Sequence, residues 1–585
     1  MANQRLFLWL ALGAILYLNY ETWMRDYPPG VPASAVAAST TSKSVGGSLA
    51  DSVPTINPAA GTAPAGGPSA ASTPSTTASP ALASTPAATP PAISTNTLSA
   101  AASSAQPLLQ VVTDVLDIGI NLTGGELSRS DLRLYPLHKD NPNVPVRLFN
   151  NAVESSLYVL QTGLTGAGDE PQPNHRAVWT AAAASYSLPE GAAELRVPLT
   201  WTDGKGLTVT KTFVFKRGSY AIELLYDVHN GSVEARKFAS YAQFLRHWEH
   251  ASRSYFDVET YSFKGPAIYD GKKYRRLDVE KDDDVKFSQT ISDGWLAAMQ
   301  HHFVSAVVPH AGQSYDYQLH VSGNDYLIGA TGPAVDIAAG ANAQFKETLF
   351  TGPKLQEQLS ATGPELDRTA DYGALTVIAR PLFLALKWIH GLIGNWGWSI
   401  IIVTALIKLV FYPLSQASGR SMAKMRAVAP RMKQIQENFK DDREKLGRAM
   451  MDLYKREKIN PLAGCLPMLV QIPFFISFYW VLLESVEMRQ APFMLWVNDL
   501  SARDPIFVLP LLMGAAMFGQ FKLNPPPPDP MQAKIMQFMP LVMTGMMAWF
   551  PAGLVLYWLT NTVLSIVQQW RVNDVVAREA AKQRS

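Results

Sequence analysis

Lys408 carries the one charge in an apolar run that extends from Trp396 to Pro413. An ammonium group in hydrocarbon costs several kcal/mol by most estimates, so a charge inside a membrane segment marks a functional site by default. Lys408 follows Trp396 by twelve residues. That is roughly 18 Å along a helix, past the middle of a bilayer core about 30 Å thick. The alternative is a lysine near a helix end whose ammonium group reaches the membrane interface.

Polar residues in the neighbouring apolar runs can share a site with Lys408. Thr404 lies four residues before Lys408 and therefore on the same face of a helix. The candidates for groove lining in the other runs are Gln471, Ser477, Asn561, Ser565 and Gln568. Because polar groups in spans face protein or water, these side chains predict a hydrated, positively charged groove open toward the cytoplasm. The alternative for any single Ser or Thr is a hydrogen bond between helices, worth about 0.6–2 kcal/mol.

Six apolar segments predict six transmembrane helices, of which the last five form a core. The first lies within residues 1–27 and is expected to be an uncleaved signal anchor, because no Ala-x-Ala site closely follows its apolar run. The core spans are predicted at residues 396–414, 462–484, 505–522, 534–551 and 552–570. A further segment, 371–395, is amphipathic. Its run from Pro381 to Ile393 is too short to span, so an interfacial helix is expected.

Lysine and arginine are concentrated between the spans on one side. The polar stretch 415–461, expected to be a helical hairpin, holds twelve Lys/Arg against six Asp/Glu. The positive-inside rule places this hairpin, the loop 523–533 and the tail 571–585 in the cytoplasm, and the loop 485–504 outside. With an even number of spans, the N-terminus is cytoplasmic as well and residues 21–395 lie outside.

The region outside the membrane has two parts of different composition. Residues 28–106 are almost entirely Ala, Ser, Thr, Pro and Gly, which predicts a disordered linker that tethers the next domain without positioning it. Residues 107–370 alternate between apolar runs and turns, as in the hairpin around Asp203 to Gly206, and this predicts antiparallel sheet. The fold class is therefore a multi-span α-helical membrane protein with a large extracytoplasmic antiparallel β-sandwich.

The chain shows no pattern that is typical of an enzyme. It contains no HExxH, GxSxG or Walker sequence, and its single cysteine, Cys465, allows no internal disulfide. We therefore expect no cofactor, no metal, no nucleic-acid partner and no catalysis. Two other classes are the alternatives. A transporter for a small anion bound by Lys408 would be favoured by inverted repeats, which the spans do not show. A sugar-binding or epimerase protein based on the outer domain would need paired acid and base groups, which the spacing of its histidines and acids does not indicate.

Several distinctive runs resemble the YidC/Oxa/Alb family of membrane protein insertases, in its Gram-negative form with a large periplasmic domain. They include the segments Gly394 to Ile402, Ser421 to Arg426, Asn460 to Pro467 and Phe550 to Asn561. The resemblance covers the chain outside the linker. It implies an inner-membrane protein with a sandwich similar to sugar-mutarotase domains. The implied mechanism is a positively charged groove, open to the cytoplasm, that attracts a substrate's polar tail while the apolar span leaves along the first two core spans.

The same resemblance implies roles for individual residues. The groove arginine of the bacterial family matches Lys408, which keeps the charge but loses the bidentate fork of arginine. Substrate-contacting positions of the family match Thr404 and the pair Tyr557 and Trp558. The cytoplasmic hairpin resembles the family's substrate-capture segment, in which we expect Lys424, Arg426 and Arg431 to act.

The implied partners are nascent membrane proteins, the Sec translocon and the phospholipid bilayer. The ribosome and the signal-recognition pathway are also expected. The basic tail after Trp570 is shorter than in ribosome-docking relatives, which argues against strong ribosome binding through the tail.

Overall fold

A computed structural model describes residues 49–56, 108–168, 170–248, 262–439, 442–457, 466–523 and 530–582. These residues form two compact units. One holds the sandwich, over Leu49–His250 and Phe263–Thr369, and the other holds the helices that follow Ala370. The predicted anchor at 1–27 lies outside the described residues.

The sandwich consists of two sheets in the described part of the chain. The first has eleven strands: β1 Leu108–Val112, β2 Leu116–Asn121, β3 Glu126–His138, β4 Asn141–Arg147, β5 Tyr158–Gly166, β7 Ser185–Ser187, β11 Arg236–His247, β14 Ser288–Ser292, β17 Ser314–Ser322, β18 Asp325–Thr331 and β19 Val335–Ile337. The second has nine: β6 Thr180–Ala181, β8 Glu194–Thr202, β9 Leu207–Lys216, β10 Ala221–Asn230, β12 Gly265–Tyr269, β13 Tyr274–Arg276, β15 Trp295–Met299, β16 Phe303–Val308 and β20 Asn342–Pro353. Two short helices, α1 Asp282–Val285 and α2 Gln356–Thr362, complete this unit.

Strand pairing follows the alternation of the sequence. The described pairs are antiparallel apart from β1 with β7, which run parallel. The hairpin predicted around Asp203 joins β8 to β9, and the Asp203 carboxylate accepts hydrogen bonds from the backbone N–H groups of Lys205 and Leu207. This local cap closes the turn, so the antiparallel sandwich that the alternation predicts is present.

A lysine lies inside the sandwich rather than on its surface. The Lys211 side chain is fully buried and its Nζ donates to the carbonyl oxygens of Gly124, Gly125 and Thr162 at 3.3, 2.6 and 3.0 Å. Burial lowers the pKa of Lys211 to about 7, while the nearby carboxyl groups of Glu126 and Glu347 oppose that shift. Three acceptors match the three hydrogens of an ammonium group, so these hydrogen bonds favour the charged form while burial opposes it.

Part of the predicted linker is ordered on the sandwich. Residues 49–56 begin with a 3-10 turn, Leu49–Asp51, and pack against β5 and β11. The prediction of a structureless linker over 28–106 is therefore wrong for this stretch. Composition alone missed it, because backbone carbonyls that accept hydrogen bonds from a neighbouring surface leave no mark on composition.

The second unit is helical. Its described helices are α3 Thr376–Ile393, α4 Trp396–Val410, α5 Tyr412–Asn438, α6 Arg443–Arg456, α7 Leu466–Glu484, α8 Val508–Leu523, α9 Pro530–Met547 and α10 Ala552–Lys582. Single 3-10 turns occur at Glu154–Ser156 and Leu366–Thr369 in the sandwich unit and at Gly373–Leu375 and Val486–Met488 in the helical unit. One apolar core joins the helices other than α5 and α6, with Leu386, Ile400, Phe478, Met513 and Leu554 all buried in it.

Local sequence explains where α3 and α4 begin and end. Gly394 ends α3 in the left-handed conformation, at φ 72°, which glycine adopts without steric cost. Asn395 then caps α4 by accepting the Trp398 backbone N–H at 3.2 Å. Helix α3 begins at Thr376, five residues before Pro381, and runs for 18 residues. The expectation of a thirteen-residue helix was too short, so its length no longer excludes a span.

Few described helices meet a strict test for a membrane span. By length and composition, Thr376–Ile393 passes alone, and Trp396–Val410 passes together with Tyr412–Ser421 across a bend of 64°. The apolar part of α7, Leu469–Glu484, and helix α8, Val508–Leu523, are each shorter than the 18 residues that the test requires. Helix α10 continues without a break from Ala552 to Lys582, so the boundary expected at residue 570 is not a helix end.

Candidate functional site around Lys408

Lys408 lies in the last turn of α4, directly before the bend into α5. Its position is favourable for a cation, since the C-terminal end of a helix carries partial negative charge. The half-buried Lys408 Nζ donates to the Ser565 hydroxyl oxygen at 2.7 Å. The Ser565 hydroxyl in turn donates to the Asn561 carbonyl oxygen at 2.7 Å. Among the residues described, no carboxylate oxygen lies within 4.0 Å of the Lys408 ammonium.

The ammonium group of Lys408 faces a small pocket between α4, α5, α7 and α10. The pocket is lined by Thr404, Ile407, Lys408, Phe411, Leu414, Ser415, Val470, Gln471, Phe474, Tyr557 and Asn561. Its volume is about 30 Å³, which is room for one or two water molecules. A pocket of this volume holds water but not a polypeptide segment.

Two predicted contact residues are packed into the wall of this pocket. Thr404 is 2% exposed, and its hydroxyl donates to the Ile400 carbonyl oxygen at 2.6 Å. Tyr557 is also buried, with its ring stacked on Phe478 at 4.5 Å between centroids. Both side chains line the pocket beside Lys408, as the sequence predicts, but their outer surfaces are covered by neighbouring helices.

The other predicted residues divide into those near the pocket and those outside it. Gln471 and Asn561 line the pocket, and Ser565 contacts Lys408 directly. Trp558 packs edge-on against Phe475 at 4.6 Å and does not line the pocket. Ser477 and Gln568 also lie outside the lining. Within the described part of the chain, Ser477 Oγ and Gln568 Nε2 are buried without a hydrogen-bond partner.

Aromatic and aliphatic lining residues were not predicted. Phe411 meets Phe474 edge-on at 5.2 Å, and together they form part of the pocket wall. A signal for them was available, because Phe411 and Leu414 continue the spacing of three to four residues that begins at Thr404. The spacing crosses the break between α4 and α5, which hides it from a search for single helices.

The predicted hairpin forms from α5 and α6. Asp442 caps α6 by accepting the backbone N–H groups of Glu444 and Lys445. Val428 and Met432 of α5 pack with Leu453 of α6 in a small separate core. This core joins the two helices independently of the main helical core.

The three predicted capture residues all belong to α5. Arg431 donates to the Glu457 carboxylate at 2.7 Å on an exposed surface. Lys424 and Arg426 also belong to α5, where the structure describes their backbone only. Arg431 therefore already has an acidic partner in this state.

Comparison with known proteins matches both units. The family described as "60Kd inner membrane protein" matches residues 388–579, and the "YidC periplasmic domain" family matches residues 108–385. The membrane protein insertase YidC of Nitrosococcus oceani is 41% identical over 99% of this chain and 100% of its own length. The insertase YidC of Pseudomonas putida is 43% identical over 98% of each chain.

A solved structure is also similar. The active YidC insertase crystal structure with its first transmembrane domain resolved is 17% identical, covers 79% of this chain and 94% of its own, and has a TM-score of 0.35. The two curated relatives are each more than 40% identical over nearly the full length of both chains. The chain therefore belongs to the YidC family, with a periplasmic β-domain and a helical C-terminal region.

Proposed function

We propose that this protein inserts membrane proteins into the bacterial inner membrane and assists their folding. The observation that carries the proposal is the Lys408 ammonium, which faces a pocket within the helical unit and has a neutral hydroxyl as its partner. A charge that is not neutralised by a fixed carboxylate is available to an incoming acidic group. The relatives named membrane protein insertase support the same activity.

The proposed arrangement in the membrane has six spans with both termini in the cytoplasm. Residues 21–395 are periplasmic in this arrangement, and the hairpin of α5 and α6 is cytoplasmic. Its support is the charge bias, with twelve Lys/Arg against six Asp/Glu in 415–461. The bend of 64° after α4 is consistent with a chain that leaves the membrane near Phe411 and continues as a polar helix.

Local thinning of the bilayer lowers the barrier that a polar segment meets. Helix α8 has 16 residues, about 24 Å at roughly 1.5 Å per residue. A hydrocarbon core about 30 Å thick has to thin around so short a helix. Pro473 in α7 and Pro540 in α9 each remove a backbone donor inside a helix, which loosens the helices that would part.

The proposed cycle begins with the small pocket beside Lys408. A substrate's polar tail displaces the Ser565 hydroxyl from the ammonium group, and α4 separates from α7 and α10 to admit it. Thr404 and Tyr557, now buried in the pocket wall, become exposed to the substrate on this opening. The apolar span of the substrate then leaves toward lipid along α4 and α7, where Phe475 of α7 packs against Trp558 of α10.

The proposal includes partners but no cofactor. Nascent membrane proteins are the substrates, and the Sec translocon and the ribosome with its signal-recognition pathway are proposed as partners in delivery. Lys424, Arg426 and Arg431 of α5 are proposed to make first contact with the incoming chain. We propose no catalytic step, because insertion needs only favourable transfer of the substrate's apolar span into lipid.

Reconstitution tests the proposed activity. The purified full chain would be placed in liposomes and given single-span substrates with short polar N-terminal tails. We expect the tail to become protected from added protease only in liposomes that contain the protein. Equal protection in empty liposomes would contradict an insertase function.

A further inference from the structure

Residues 49–56 contact the sandwich through their own backbone. Three sandwich side chains donate to carbonyl oxygens of this segment: Gln161 to Ala50 at 3.2 Å, Gln243 to Ser52 at 2.9 Å and Thr165 to Pro54 at 2.7 Å. We propose that this face of β5 and β11 is a peptide-binding groove that recognises a polypeptide main chain, and that residues 49–56, the clasp, occupy it in the intact protein.

The spacing of the donors matches the clasp. Gln161 and Thr165 are four residues apart on β5, and the carbonyl groups that they contact, on Ala50 and Pro54, are also four residues apart. The clasp therefore runs in the same direction as β5. Because the donors contact carbonyl oxygens, these hydrogen bonds do not depend on the side chains of the bound segment.

The donors are fixed by each other as well as by the clasp. Gln243 is the register partner of Gln161, and its Nε2 donates both to the Gln161 Oε1 at 2.8 Å and to the clasp. The carboxamide of Gln243 thus uses both of its hydrogens. All three donors, Gln161, Gln243 and Thr165, are buried. Side chains held in this way are preorganised for a ligand with carbonyl groups at fixed spacing.

His175 adds a fourth contact with a defined tautomer. Its Nδ1 lies 2.6 Å from the Tyr241 hydroxyl, and that hydroxyl already accepts the His175 backbone N–H at 3.0 Å. The Ala50 carbonyl oxygen lies 3.1 Å from Nε2 and can only accept, so the hydrogen of a neutral ring is on Nε2 and the Tyr241 hydroxyl donates to Nδ1. Burial lowers the pKa of His175 to about 4. The charged groups that act on this ring are Arg176, Lys211 and Asp51.

Apolar and ionic contacts hold the first turn of the clasp. Leu49 and Ala50 pack against a small buried cluster formed by Val159, Leu245 and Leu327. Asp51 lies 4.0 Å from Arg176 on an exposed surface, a pair that contributes little by itself. The first described segment that contacts the sandwich therefore begins at Leu49, well before strand β1 at Leu108.

A distance measurement between two spin labels on the full chain tests the groove. Cys465→Ser removes the single native cysteine, and Thr55→Cys and Ser322→Cys place one label on the clasp and one at the exposed end of β17. We expect one narrow distance distribution. A broad distribution in this protein would overturn the proposal, because the clasp would then not occupy a defined place.

Variants of the donors separate the groove from general packing. Gln161→Glu with Gln243→Glu replaces two N–H donors by oxygens that repel the clasp carbonyls, and we expect the distribution to broaden. Gln344→Glu is a control for the added negative charge, since Gln344 is exposed and its Nε2 donates to Asp227 Oδ1 away from the clasp, and it should leave the distribution narrow. A distribution that stays narrow in the double variant would show that the apolar contacts of Leu49 suffice and would overturn recognition through the main chain.

A free peptide tests whether the groove accepts a ligand in trans. Residues 49–56 would be replaced by a Gly-Ser segment of equal length, and a fluorescent peptide of residues 47–58 would be titrated up to millimolar concentration. Saturable binding that weakens at least tenfold in the Gln161→Glu, Gln243→Glu variant is the expected result. No saturable binding to the replaced chain would overturn the groove as a peptide site.

Discussion

The charge on Lys408 is predicted to set how well acidic substrate tails are inserted. The relevant perturbations are Lys408→Arg, which keeps the charge, Lys408→Met, which removes it, and Lys408→Glu, which reverses it. The Met variant should still fold, because the Ser565 hydroxyl keeps its own acceptor, the Asn561 carbonyl oxygen at 2.7 Å. Function can therefore be measured separately from stability.

The magnitude follows from the geometry of the pocket. A carboxylate that replaces the Ser565 hydroxyl beside the ammonium would place the two charge centres about 4–6 Å apart, which is worth about 3–4 kcal/mol at an effective dielectric constant near 20. Water admitted as the pocket opens screens the attraction to about half this figure, on the order of 2 kcal/mol, or about thirtyfold in rate. Lys408→Glu should cost roughly twice as much, because attraction becomes repulsion.

The assay compares two substrates that differ only in the tail. One carries acidic residues in its N-terminal tail and the other carries their amides, and insertion is measured by protection of the tail in liposomes. We expect Lys408→Met to slow the acidic substrate about 10–100-fold, to leave the amide substrate within about threefold, and Lys408→Arg to match the native protein. Equal loss on both substrates would refute the electrostatic reasoning and assign Lys408 a structural role, as would full activity of Lys408→Glu on the acidic tail.

Three further predictions concern packing and the sandwich. Lys211→Met should lower the stability of the sandwich by about 3–5 kcal/mol, since it leaves the carbonyl oxygens of Gly124, Gly125 and Thr162 without their donor, and a urea titration measures this. Gly514→Ala should disturb the contact of α8 with α9, because the new Cβ would lie 2.0 Å from Thr544 Oγ1; thermal melting should show a loss of about 1–3 kcal/mol that Thr544→Ala partly restores. His175 binds a proton less readily when folded, with its pKa lowered from 6.5 to about 4, so stability should fall as the pH drops from 6.5 to 4. The His175→Gln variant should lose that slope, and an unchanged slope would contradict the role given to His175.

The sequence predicted the architecture well where a periodic pattern determines structure. Alternating runs predicted the sandwich strands, including the hairpin closed by Asp203, and the polar stretch after Ser415 predicted the hairpin of α5 and α6. The start of α3 was predicted too late, because a proline such as Pro381 is typical of the first turn of a helix. The helix instead begins at Thr376 and contains Pro381 in its interior.

The candidate site was predicted in its polar members and missed in its apolar ones. Lys408, Thr404 and Asn561 stand out as polar residues in apolar runs, and they do meet at one pocket. Ser477 stands out for the same reason but packs elsewhere, because the polarity of a residue does not reveal which face of its helix meets which neighbour. The clasp was invisible for a related reason, since its hydrogen bonds use backbone carbonyl groups that every residue possesses.

Crosslinking from adjacent positions on α7 tests the central claim most directly. Val470 lines the pocket, whereas its neighbour Leu469 is 59% exposed and points away from it. A photoreactive residue would be placed at each position in turn, and ribosome-stalled chains with one apolar span would be presented. We expect strong crosslinks to the substrate from Val470 and weak ones from Leu469. Equal or absent crosslinks at Val470 would show that substrates do not pass beside Lys408 and would contradict the groove as the path of insertion.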